Sequence, residues 1–145
     1  MRAIKFLLAA ALITACAAKE EEAPAPAPPA GPTLADFAGT WNVKSVLEGT
    51  PDTVASTLTG TADASSWTMS LEGRPNIPMT VSIVGDSLVS QSAEYESILR
   101  KGVMVTVRTA SVLQNGGLVG NLVATYKTPQ GEQVVKGTTT GTKGM

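Results

Sequence analysis

The chain has 145 residues, with 11 basic and 12 acidic side chains, a formal net charge of −1, 43% hydrophobic but only 4% aromatic residues, one cysteine and no histidine. This near-neutral balance excludes the concentrated basic surface that nucleic-acid binding needs. The lack of histidine removes the usual general base, the serine-hydrolase triad and most transition-metal sites, so the sequence points away from catalysis and offers neither a metal nor a cofactor site.

Residues 1–15 have the three parts of an export signal: cationic Arg2 and Lys5, an apolar run from Phe6 to Ile13, and small residues before a cleavage point. That run is too short to span a bilayer. The tetrapeptide Ile13-Thr14-Ala15-Cys16 resembles the bacterial lipobox at all four positions. The resemblance implies that the Cys16 thiol carries a diacylglyceryl group, that the chain is cut before it, and that the new amine is acylated with a fatty chain such as palmitate. One acyl chain holds a protein only marginally, whereas two or three hold it firmly, at about 0.8 kcal/mol per buried methylene. The expected partner at this end is therefore the membrane, reached through the lipid. Ala17 stands where an aspartate would favour inner-membrane retention, which implies sorting to the outer membrane, facing the periplasm. With its single cysteine lipidated, the domain has neither a disulfide nor a thiol nucleophile.

Residues 16–33 join the lipidated cysteine to an acidic patch, Glu20 to Glu22, and an Ala-Pro run that cannot bury apolar area and favours extended polyproline conformations. The segment reads as a tether, or less commonly as a Pro-rich recognition motif. At about 3.1 Å per residue it would hold the next domain some tens of Å from the membrane.

Residues 34–145 have the length of one ordinary domain. A short helix is expected at Thr33 to Phe37 with Thr33 as its cap. Strands follow by period-two alternation. Trp41, Val43 and Ser45 share a face, and Val54 to Gly60 forms a weaker second strand. Trp67, Met69 and Leu71 share a face, as do Met79, Val81 and Ile83. Gly85-Asp86 turns into Leu88 and Ser90. Val103, Val105 and Val107 oppose Met104, Thr106 and Arg108. Asn115-Gly116-Gly117 closes a hairpin into Leu118, Leu122, Ala124 and Tyr126. Pro129-Gln130-Gly131 turns into Val134-Val135 and a last strand whose Thr138 to Thr142 hydroxyls are expected to face water. About eight strands on short connections predict an all-β domain, a small up-and-down antiparallel barrel or, alternatively, a β-sandwich.

Phe37-Ala38-Gly39-Thr40-Trp41, opening the first strand, resembles the Gly-x-Trp signature of lipocalins and related calycin barrels. The resemblance implies a helix leading into strand one, close backbone approach at Gly39, and Trp41 plugging the closed end of an eight-stranded barrel. It also implies a basic residue packed on that Trp, for which Lys136 and Lys143 qualify from the last strands and Arg108 from an earlier one. In a sandwich, Trp41 would be an ordinary core aromatic. The stretch Glu94 to Val103 is similar to a segment of uncharacterised bacterial lipoproteins of the same layout, a similarity that carries no activity. It breaks the alternation and groups Tyr95 with two carboxylates and two cations, as a solvated connection or a lid over a barrel mouth would.

Glu94 and Glu96, one residue apart, read as a solvated face and not as an acid and base pair. Asp52, Asp63 and Asp86 lack calcium-loop spacing. The leading expectation is an envelope lipoprotein whose barrel binds a small apolar or amphipathic molecule. Its lining would come from Trp67, Met69, Met79, Val81, Val105 and Leu122, with Tyr95 and Arg108 as polar groups near the mouth. The alternative is a non-enzymatic interaction or structural protein that presents its β domain to a protein or cell-wall partner. An exposed strand edge or apolar patch would favour the second.

Overall fold

A computed structural model of the chain describes residues 31–144. The export signal, the lipobox with Cys16 and the tether as far as residue 30 lie outside the described residues.

The domain begins with the expected helical turn, α1 (Leu34–Phe37). The Asp36 carboxylate accepts the Thr33 backbone N–H at 2.7 Å, which satisfies an amide that would otherwise be left open at the helix start. Nine strands follow: β1 (Gly39–Leu47), β2 (Thr53–Gly60), β3 (Thr68–Ser70), β4 (Ile77–Val84), β5 (Ser87–Ser92), β6 (Tyr95–Glu96), β7 (Met104–Gln114), β8 (Gly117–Thr128) and β9 (Gly131–Lys143). A single 3-10 turn, Ala64–Ser66, precedes β3.

Successive strands pair antiparallel from β1 to β5, β5 pairs with β7, and β7, β8 and β9 continue back to β1. Two registers close the ring: Trp41 to Leu47 of β1 against Lys143 to Gly137 of β9, and Leu88 to Gln91 of β5 against Ser111 to Arg108 of β7. The domain is thus a closed eight-stranded up-and-down barrel. The sandwich alternative is excluded, because two facing sheets would leave these edges unpaired. The two-residue β6 is the additional strand, joined to β7 through Tyr95–Val105 and Glu96–Met104. It was not visible as a strand in the alternation, being too short to repeat.

Period two decides what fills the barrel. Trp41, Val43, Ser45 and Leu47 point inward from β1, and so do Val54, Ser56 and Leu58 from β2 and Leu118, Leu122, Ala124 and Tyr126 from β8. One departure from expectation lies on β9. Thr138, Thr140 and Thr142 face water, but Thr139 alternates inward, is 3% exposed and meets the Ser45 hydroxyl at 3.3 Å.

The interior divides into two apolar groups. The closed end holds Phe37, Trp41, Leu58, Trp67, Ile77, Met79, Val81, Leu88 and Leu118, and the open end gathers Leu47, Val105, Leu122, Ala124 and Tyr126. Trp41 and Trp67 are each 1% exposed. Rings of this size remove roughly 200 Å² from water, on the order of 5 kcal/mol of transfer free energy each. Their indole N–H groups are satisfied by the Phe37 carbonyl at 2.7 Å and the Thr61 carbonyl at 2.9 Å. Gly60 is what admits the second ring, since a Cβ there would lie 2.0 Å from Trp67 Cδ2.

Candidate functional site

Between the two apolar groups the barrel is incompletely filled. Two adjoining cavities of about 50 Å³ each share Ser45, Ser56, Met69, Val107 and Leu122 in their walls. The outer one, towards the open end, is bounded by Leu47, Val54, Leu71, Tyr95, Leu99, Val105 and Tyr126. The inner one, at mid-barrel, is bounded by Leu58, Met79, Leu118 and a belt of hydroxyls from Ser90, Thr109, Ser111 and Thr139. Each has room for roughly three or four waters, and both together fall well below the volume of about 300 Å³ at which drug-sized pockets begin.

Two inward glycines let their neighbours pack closely beside these spaces. Gly120 faces Ser111 across the β7–β8 ladder, and a Cβ there would come within 2.2 Å of the Ala110 carbonyl and 2.5 Å of Ser111 Oγ. Gly137 likewise leaves Leu122 its position, because a Cβ there would lie 2.8 Å from Leu122 Cδ2 and 2.2 Å from the Val46 carbonyl.

The segment from Ala93 to Val103 caps the open end. Its backbone is tied in by Ser97 N–H donating to the Val103 carbonyl at 2.8 Å. The Ser97 hydroxyl accepts the amides of Leu99 and Arg100, each at 3.1 Å. The Glu96 carboxylate accepts the Gly102 amide at 2.9 Å, with Gly102 at a φ of 79°, a conformation that suits glycine. Tyr95, Ser97, Ile98 and Leu99 border the cavity, Ile98 being also 46% exposed. Three side-chain latches hold the cap to the rim. Arg100 lies 4.2 Å from the Tyr126 ring centroid and donates to Gln133 Oε1 at 2.5 Å. Arg74, from the β3–β4 loop, donates to the Glu96 carbonyl, and Lys127 of β8 pairs with Glu94. That last pair raises the Lys127 pKa through its hydrogen bond and charge contact with Glu94. Burial, and secondarily the neighbouring Tyr126, push the Tyr95 phenol up to about 12 against an opposing contribution from Arg74.

The wall is interrupted between β2 and β3. β3 pairs with Thr57 to Thr59 only, so the side of β2 at Thr53 to Ser56 that faces away from β1 has no strand partner among the described residues. Outside this gap runs an open groove of about 640 Å³, bordered by Asn42, Lys44, Thr57, Glu72 and Arg74. Ser56 and Leu71 border both this groove and the outer cavity.

Of the residues singled out from the sequence, Met69, Tyr95, Val105 and Leu122 line the outer cavity, and Met69, Met79 and Leu122 line the inner one. Trp67 and Val81 point inward but belong to the packed closed end and touch neither cavity. Arg108 does not reach the interior. Its neighbours Val107 and Thr109 take the inward positions of β7, so Arg108 stands exposed on the outer surface. Gly39 has a φ of 124° and Trp41 fills the closed end beneath it. The basic partner of Trp41 is Lys143, with Nζ 5.3 Å from the ring centroid. Sequence reasoning missed Ser56, Ser97, Leu99, Ser111 and Thr139 as lining residues. Alternation with Leu58 and with Val105 would have found Ser56 and Ser111, whereas Thr139 is set by its register with Ser45. Among the described residues no group of three or more metal-ligating side chains comes together.

Neither a protein-family model nor a curated protein matches the chain.

Proposed function

We propose that this chain is a lipid-anchored envelope protein, held at the outer membrane through Cys16, whose barrel takes up a small apolar or amphipathic molecule. The observation that supports the reading is the pair of adjoining interior cavities beneath a capped mouth, in a barrel whose closed end is fully packed by tryptophans. Their combined size limits the cargo to a slim molecule lying along the barrel axis, and full occupancy requires the cap or the interrupted wall at Ser56 and Leu71 to yield. The lipidated N-terminus and Pro-rich tether would keep such a binder near the membrane, where amphipathic molecules are concentrated.

The test is native mass spectrometry of the full lipoprotein, extracted from its host membrane in mild detergent. The expected spectrum carries a reproducible small adduct beyond the acyl mass on Cys16. The adduct should be lost in Ser56→Leu, which fills both cavities from a shared wall. A bare mass in both proteins counts against the reading.

A second reading has its own support. The unpartnered side of β2 at Thr53 to Ser56, bordered by the open polar groove, is a surface on which an extended segment of another protein could add a strand. In that case the barrel serves as a rigid, non-enzymatic platform. Crosslinking from Ala55 in intact envelopes separates the two readings, because only this one expects a protein adduct there.

A further inference from the structure

The chemistry of the inner cavity narrows the cargo class, on the proposed reading that the barrel interior is the binding site. Six hydroxyls surround this space: Ser45, Ser56, Ser90, Thr109, Ser111 and Thr139. Two pairs satisfy each other, Ser90 with Thr109 at 2.6 Å and Ser45 with Thr139 at 3.3 Å. Ser56 and Ser111 have no such partner among the described side chains, and each borders the cavity. No fully buried side-chain oxygen or nitrogen is left without a partner among the described residues, so the Ser56 and Ser111 hydroxyls keep some accessible surface. The walls of both cavities contain no Lys, Arg, Asp or Glu. The cations placed against wall or cap residues, Arg100 over the Tyr126 ring and Arg74 at the Glu96 carbonyl, belong to the capped mouth, and Lys143 lies at the opposite end on Trp41.

We infer that the barrel selects molecules with a neutral hydrogen-bonding head, such as an alcohol, ester or amide, seated in the mid-barrel hydroxyl belt with the aliphatic part against the apolar walls of Leu47, Val54, Leu58, Leu71 and Val105. A neutral head exchanges the hydrogen bonds of displaced water for those of Ser56 and Ser111, at little net cost. An ionised carboxylate or ammonium in the same place would lose its hydration without meeting a counter-charge, a penalty of several kcal/mol. An ionised fatty acid is therefore disfavoured with its head in this belt.

The experiment compares octan-1-ol, octanoate and octylammonium at pH 8 by isothermal titration calorimetry on the full detergent-solubilised lipoprotein, subtracting detergent-only titrations. The expected result is saturable octan-1-ol binding that is at least tenfold tighter than either ion. Ser111→Ala should weaken octan-1-ol several-fold while the unfolding temperature stays close to that of the parent. Octanoate or octylammonium binding as tightly as the alcohol overturns the neutral-head inference and leaves the carrier reading standing, as does octan-1-ol affinity unmoved in both Ser111→Ala and Ser56→Ala. Absence of binding by all three probes overturns the carrier reading and this inference with it.

Discussion

The Lys143 ammonium stands 5.3 Å from the centre of the Trp41 ring, linking the last residue of the last strand to the third residue of the first. The two strands are hydrogen-bonded neighbours with Trp41 opposite Lys143, so the contact seals the seam that closes the barrel. The Gly39 backbone makes room for the lysine stem, whose Cε would lie 3.1 Å from a Cβ at that position. Replacing Lys143 by Ala should cost about 0.5–1 kcal/mol, the range for an exposed cation over an aromatic face. Trp41→Ala should cost on the order of 3–5 kcal/mol through loss of a buried ring and the cavity left behind. Urea unfolding followed by circular dichroism measures both, and equal effects would contradict this account of the seam.

Gly60 and Trp67 form a second pair at the closed end whose energetics can be separated. Because a Cβ on Gly60 would occupy the indole itself, Gly60→Ala should destabilise by about 1–3 kcal/mol or more. The cost arises from a clash with one ring, so Gly60→Ala combined with Trp67→Leu should lose less than the sum of the single losses. Strict additivity in a double-mutant cycle would show that the two positions do not meet.

Much of this fold was readable in the alternation. The Gly39-x-Trp41 opening, the hairpin at Asn115-Gly116-Gly117 and the inward valines of β7 each announced a strand or turn locally. What was not readable depended on chain closure. Nothing local distinguishes Thr139 from Thr138 and Thr140 in a run of threonines; only the register with Ser45 turns one hydroxyl inward. Arg108 was misjudged for a related reason. Its charge suggested a role at the mouth, but the period-two count from Val105 already assigned it to the outer surface. The cavities were illegible because they depend on how inward side chains from elements far apart in sequence, such as Ser56, Met69, Val107 and Leu122, meet across the barrel.

The cap should respond to its arginine latch. Arg100→Ala removes the contact with Tyr126 and the hydrogen bond to Gln133 while leaving the barrel ladders intact. Hydrogen exchange at the Leu99, Arg100 and Gly102 amides, now held by Ser97 and Glu96, should accelerate about tenfold for each 1.4 kcal/mol of local stability lost. Amides of Val123 and Ala124 in the β7–β8 ladder should exchange as before. Uniform acceleration across cap and barrel would mean that the cap is not an independent unit.

Tyr95 gives the domain a specific alkaline sensitivity. Its phenol loses a proton at about 12 in the folded protein, above its ordinary value of 10.0, chiefly because burial disfavours the phenolate. An acid whose folded pKa is raised binds more protons folded than unfolded between the two values, so stability is whole below about pH 10 and falls as pH rises towards 12. The loss attributable to Tyr95 is on the order of 2–3 kcal/mol. Unfolding free energies for the parent and Tyr95→Phe should therefore converge or cross over this interval. Parallel curves would assign the alkaline loss elsewhere.

The most direct test of the central claim is methyl nuclear magnetic resonance of the full solubilised lipoprotein, with octan-1-ol added stepwise. Binding inside the barrel predicts saturable shifts at the methyl groups of Met69, Met79, Val105 and Leu122, with little change at Val84, Val119 and Val134 on the outer surface. Shifts confined to those outer valines, with the interior methyls unmoved, would contradict it.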